Sequence, residues 1–211
     1  MAEDILSKII AKKKDKIDIL KSTLNIEILK DKIKENNSFI NFKDKIINNI
    51  NNDNFSIIAE IKKASPSAGI IVENYDPVNI AKVYNDNNAT CLSILTEEDF
   101  FLGNLIHISK IKQKIDLPIL CKDFFFDKFQ VHLAKSYGAD AILIILAGIS
   151  ESIAYDLYKE ALKLNMTVIV EVHTLEEAKK SGDRLVESTI KDSPNQDLTP
   201  PITPVNDSTT K

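Results

Sequence analysis

Tryptophan is missing from this sequence, and arginine occurs once, at Arg184, among 27 basic residues. The first absence excludes intrinsic tryptophan emission. The second, with a net charge of -4 and scattered lysines, argues against a phosphate-backbone surface and hence against a nucleic-acid partner. No apolar run approaches the roughly 20 residues a membrane span requires; the longest are strand-sized, such as Ala141 to Ala147. The start, Met1-Ala2-Glu3-Asp4, lacks the basic-then-apolar order of a secretion signal. Only two cysteines are present, Cys91 and Cys121, each inside an apolar run. They read as buried thiols in a reducing cytoplasm. Without Cys-x-x-Cys or clustered histidines (His107, His132 and His173 are isolated), no metal site is indicated.

What is present is an ordinary globular balance, 44% hydrophobic and 27% charged, arranged in three stretches. Residues 1–55 read as a helical extension. Ile5, Leu6, Ile9, Ile10, Ile17 and Leu20 recur at helical spacing, as do Phe39, Phe42, Ile46, Ile47 and Ile50. Two helical segments with apolar stripes are expected, each needing a surface to cover. Residues 56–180 alternate short apolar runs with helical patterns. The runs are Ser56–Ile61, Cys91–Leu95, Pro118–Cys121, Ala141–Leu146 and Thr167–Val172. Counted from Ile57, Cys91, Ile119, Ala141 and Thr167, they are spaced 34, 28, 22 and 26 residues apart. That is the length of a strand–helix unit, and the nearly all-apolar fourth run suits a parallel strand covered on both faces. The fold class is therefore α/β, an open sheet or a barrel. Residues 181–211 hold four of the seven prolines and no strand-length apolar run; they read as a disordered, low-complexity tail.

In parallel α/β folds ligands sit at the carboxyl ends of the strands. Three runs end there in ionisable residues: Glu60 with Lys62, Lys122 with Asp123, and Glu171 with His173. Charges also mark strand ends simply because they reach solvent. Glu60 and Lys62, however, lie two apart, on one face of one strand, and an inward carboxylate and ammonium require each other or a ligand. The turn Lys63–Gly69, with Ser65 and Ser67, could offer donors to a phosphate. Phe100, Phe101 and Phe124 to Phe126 lie near the same end, most of them readable as packing.

The run Ile57-Ile58-Ala59-Glu60-Ile61-Lys62-Lys63-Ala64-Ser65-Pro66-Ser67 resembles indole-3-glycerol phosphate synthase. So do Ala89 to Glu97 with Phe100-Phe101, Leu117 to Phe124 with its Lys-Asp-Phe, Gly138 to Leu143, and Val170 to His173. The resemblance covers about residues 5–180, in the family's order and spacing. It implies a (β/α)8 TIM barrel with an N-terminal helical extension, acting without metal or organic cofactor on a phosphorylated small molecule. That molecule is 1-(2-carboxyphenylamino)-1-deoxyribulose 5-phosphate, which undergoes ring closure, decarboxylation and dehydration. By this resemblance Lys122 is the acid for ring closure, and Glu171 and Lys62 are the pair for dehydration. Glu60 keeps an ammonium charged, Ser65 binds phosphate, and Phe101, Phe124 and Leu143 line the aromatic pocket. The family's three further βα units are not recognisable past Lys180, so five of eight units are expected, as an open arc. The alternatives are an inactive truncated remnant, or a fragment needing a complementing chain. A neighbouring barrel, phosphoribosylanthranilate isomerase, is disfavoured by the Glu60-x-Lys62 and Lys122-Asp123-Phe124 pairings.

Overall fold

A computed structural model of the chain describes residues 5–35, 39–179 and 181. It divides into a unit Met1–His173 and a second unit Thr174–Lys211. In the second, Thr174 Oγ1 accepts from Glu177 N at 3.1 Å, opening a helical turn. The expected tail falls, apart from Ser181, outside the described residues.

Three helices come first: α1 (Ile5–Thr23), α2 (Ile26–Glu35) and α3 (Phe42–Asn51). The sequence reading expected two segments. The stretch between them divides because Asn25 interrupts it, its side chain accepting from Glu27 N at 3.0 Å and so starting α2. There follow β1 (Ile58–Ile61), a hairpin of β2 (Ala64–Ser65) and β3 (Gly69–Ile70), α4 (Pro77–Asp86), β4 (Cys91–Leu95) and α5 (Ile106–Lys112). Then come β5 (Ile119–Lys122), α6 (Lys128–Ser136), β6 (Ala141–Ile145), α7 (Glu151–Lys163) and β7 (Thr167–Glu171). Asp76 caps α4, with Pro77 in its first turn, and Asp127 with Gln130 forms a capping box on α6. The run expected to reach Leu146 stops at Ile145, because Leu146–Gly148 closes into a 3-10 turn.

The five long strands form one parallel sheet in the order β1-β4-β5-β6-β7. Period-two alternation gives each strand two apolar faces. Ile61, Leu92, Ile94, Ile119, Cys121, Ile142 and Ile144 point outward into the main core, with Ala81 of α4, Ile108 of α5, Val131 of α6 and Leu157 of α7. Cys91, Leu120, Ala141 and Leu143 point the other way and meet Phe42 of α3. Burial on both sides is why these strands read as unbroken apolar runs rather than alternating ones. Both cysteines are free and buried, and burial pushes each thiol up to about 12.

Among the described residues, β1 and β7 each pair on one side only. Every residue of β7 is partly exposed, and Ile58 of β1 is 41% exposed. The five parallel strands and the four helices between them are the α/β arrangement expected from the sequence.

Candidate functional site

The inward alternation that buries Leu143 also carries Glu60, Lys62, Lys122, Ile145 and Glu171 to the carboxyl ends of the strands. Glu60 Oε1 lies 2.5 Å from Lys62 Nζ, and Glu60 Oε2 lies 2.6 Å from Lys122 Nζ. Glu60 and Lys122 stand on strands separated by β4. On β4, Ser93 is aligned with Glu60 and Leu95 with Lys122, so the two long side chains meet across that strand. Partial burial pushes the Glu60 carboxyl up. The hydrogen bonds and charges of Lys122 and Lys62 outweigh this and hold it below its ordinary value. One carboxylate therefore serves two ammonium groups from opposite sides.

Beside Lys122 opens a cavity of about 270 Å³. Lys122, Asp123, Glu171 and His173 form its polar part, and Phe101, Phe124 and Leu143 its main apolar part, with Leu95, Ile145 and Leu6. The Phe101 and Phe124 rings lie 6.1 Å apart, tilted by 39°, a distance at which aromatic pairs attract. Glu171 Oε1 is 3.2 Å from His173 Nε2. Five of the eight residues expected from the sequence thus line one cavity, and Glu60 and Lys62 join through the lysine–carboxylate bridge. Ser65 is not among the lining residues: it sits in the β2–β3 hairpin, where its Oγ accepts from Ala68 N at 3.2 Å.

The loops around this cavity are held by buried carboxylates that the sequence reading left without a role. Asp123, 5% exposed, accepts from Lys13 Nζ at 2.7 Å, Thr96 Oγ1 at 2.6 Å and Phe124 N at 2.8 Å. Lys13 comes from α1 and is itself buried. Burial lowers the Lys13 pKa, and the attraction and hydrogen bond of Asp123 reverse this, leaving it raised. Further along α1, Lys12 and Lys16 reach Asp99 at 3.1 and 2.7 Å, and Lys21 reaches Asp127 at 2.6 Å. The helix thus straps the loops after β4 and β5. The lysines between the apolar residues of α1 are its clasps, and Leu6 of the same helix lines the cavity. Phe125 instead joins the main core and Phe126 packs beside Ile17, Leu29 and Phe129, the packing expected for most of the five rings.

Gly103 lies in the β4–α5 loop at a point where a side chain does not fit. A Cβ would collide with the Leu95 carbonyl and come within 2.9 Å of Thr96 Cα. Gly103→Ala is expected to destabilise the chain by about 1–3 kcal/mol through overpacking. The urea midpoint checks this; an unchanged midpoint would mean that the loop relaxes freely.

Among the described residues no three or more His, Cys, Asp or Glu are grouped to hold a metal ion, and no helix is long and apolar enough to cross a membrane.

Comparisons with known proteins identify the chain's relatives. The family model described as "Indole-3-glycerol phosphate synthase" matches residues 6–187. An indole-3-glycerol phosphate synthase of Aliarcobacter butzleri (strain RM4018) is 41% identical over 177 residues, 84% of this chain and 67% of that protein. One from Trichodesmium erythraeum (strain IMS101) is 48% identical over 122 residues, 58% of this chain and 41% of that protein. The "Tryptophan biosynthesis protein TrpCF" of Buchnera aphidicola subsp. Schizaphis graminum (strain Sg) is 41% identical over 182 residues, 86% of this chain and 39% of that protein. The chain therefore spans about two fifths to two thirds of the length of these relatives. A match over most of the chain, on parallel strand–helix units with a charged cluster at their carboxyl ends, makes it a member of the indole-3-glycerol phosphate synthase family.

Proposed function

We propose that the chain carries the lyase chemistry of its family: conversion of 1-(2-carboxyphenylamino)-1-deoxyribulose 5-phosphate to indole-3-glycerol phosphate, carbon dioxide and water. The observation that carries this reading is Glu60 bridging Lys62 and Lys122 beside a cavity walled by Phe101, Phe124 and Leu143. Ring closure needs a proton donor at the ribulose carbonyl, and a charged ammonium held by a carboxylate is such a donor. Lys122, in the cavity wall, takes that role, and Glu60, 2.6 Å from its Nζ, holds the ammonium in place. Loss of the carboxylate restores the aromatic ring. Loss of water then needs a base and an acid, assigned to Glu171 and Lys62. The two phenylalanines and Leu143 hold the carboxyphenyl ring, and Ser65 supplies a donor to the phosphate. No metal or organic cofactor enters this scheme, and cytoplasmic residence fits the two buried free thiols. Residues 1–55 act as the helical extension, 56–180 as the barrel part and 181–211 as a tail.

The relatives' names and the family model support the synthase over the isomerase and over an inert remnant. The test is emission from product indole when substrate is added. A rise supports the reading. Silence that is relieved by a fragment carrying the family's last three strands would instead assign the chain to a two-piece enzyme. Silence in both would sink the proposal.

The same bridge predicts a pH dependence. The folded pKa of Glu60 lies below its ordinary value of 4.5. Its contribution to stability is therefore full above 4.5 and lost as pH falls through the lower folded value. Glu60→Gln is expected to be less stable than the parent at pH 7, the gap narrowing towards pH 3. Thermal melts across that range check it, and a gap independent of pH would refute the assignment.

A further inference from the structure

Glu97 follows β4 and is 1% exposed, yet its hydrogen bonds go to backbone amides. Its Oε1 accepts from Asp99 N at 3.0 Å, and its Oε2 accepts from Phe100 N at 2.7 Å and Phe101 N at 3.0 Å. Its own carbonyl accepts from Gly103 N at 2.7 Å, closing the loop on itself. A buried carboxylate is costly unless its oxygens are satisfied, so this loop is folded around the charge. The last of the three amides belongs to Phe101, whose ring enters the cavity beside Phe124. Outside the loop, Lys12 and Lys16 hold Asp99, and Lys12 also stands 5.7 Å from the centre of the Phe100 ring. Inside it, Glu97 alone ties three successive amides to one point.

We propose that Glu97 is a positioning residue that sets how the aromatic end of the substrate is gripped, by fixing the backbone that aims Phe101 at Phe124. It touches the loop and not the substrate, and the proposal rests on the aromatic cavity being the carboxyphenyl subsite. Glutamine cannot replace it. An amide has one acceptor oxygen, and its NH2 would face either the Asp99 amide or the pair from Phe100 and Phe101, donor against donor.

The test uses the full chain and 2-aminobenzoate, a fluorescent aromatic carboxylate, as probe, with binding followed by its polarisation. Glu97→Gln is expected to weaken binding about tenfold. In a Phe101→Ala background it should add less than about twofold, because coupled residues are not additive. Equal losses in both backgrounds, or no loss, would overturn the proposal. If Glu97→Gln does not fold, Glu97→Asp, one methylene shorter, is put through the same cycle with the same criteria. If the parent does not bind the probe, the subsite reading fails, and 4-fluorophenylalanine at position 101 decides the positioning role separately. Its fluorine resonance should move towards the solvent value in the Glu97 variant while a label at Phe129 stays put. An unmoved label at 101 would overturn the proposal.

Discussion

Lys122→Ala is expected to lose indole-3-glycerol phosphate formation by a factor of about 10² to 10⁴, the range that a positioned general acid contributes. The chain holds no tryptophan, so any indole emission is product and the residual rate can be read directly. Lys122 lies in the cavity wall and is partly exposed, and its removal leaves Glu60 still paired with Lys62 at 2.5 Å. The fold should therefore survive, and the loss should fall on turnover rather than on the melting temperature. Lys122→Arg is expected to rescue little: the charge is kept, but a guanidinium is a poor proton donor near neutral pH. Activity that persists in Lys122→Ala would remove this lysine from the mechanism and leave Lys62 as the acid.

The second large effect is on stability. Lys13→Met should cost about 3–5 kcal/mol, the usual penalty for removing one partner of a buried ion pair and stranding the other. Asp123 keeps Thr96 Oγ1 and Phe124 N, which places the loss towards the lower end. For a chain of this size it corresponds to a fall in melting temperature of roughly 10 °C. Replacing both members, Lys13→Met with Asp123→Leu, should restore part of the loss, since an apolar pair avoids the desolvation cost. The pH dependence has the opposite sign to that of Glu60. The Lys13 pKa is raised in the folded chain, so the contribution is full below the ordinary lysine value of 10.5 and is lost as pH rises through the folded one. A Lys13→Met variant that melts with the parent would show that α1 is held by its apolar stripe alone.

Much of this was legible in the chain itself. The spacing of apolar runs named the five strands to within two residues at either end, because strands with apolar groups on both faces stand out as short, nearly continuous apolar runs. The charges at the ends of those runs picked out Glu60 with Lys62, Lys122 with Asp123 and Glu171 with His173, and the family resemblance selected Glu60, Lys62, Lys122 and Glu171 among them. The aromatic pair came from the family resemblance alone: five phenylalanines follow β4 and β5, and periodicity does not separate Phe101 and Phe124 from Phe125, which is buried in the main core.

The bridge from Glu60 to Lys122, the clasp from Lys13 to Asp123 and the amide cradle of Glu97 were decided by the tertiary structure. The first two join residues 62 and 110 positions apart, and a local pattern carries no information on which distant charge will answer a buried one. The third is local in sequence but depends on burial: in water a glutamate has no reason to turn back on its own loop, and inside the fold it has no other way to satisfy its oxygens. The sequence by itself determined the order of elements and the chemical kinds present at the strand ends, since local periodicity suffices for both. Which of the groups at the strand ends share a hydrogen bond was settled only when the sheet's register brought β1, β4 and β5 side by side.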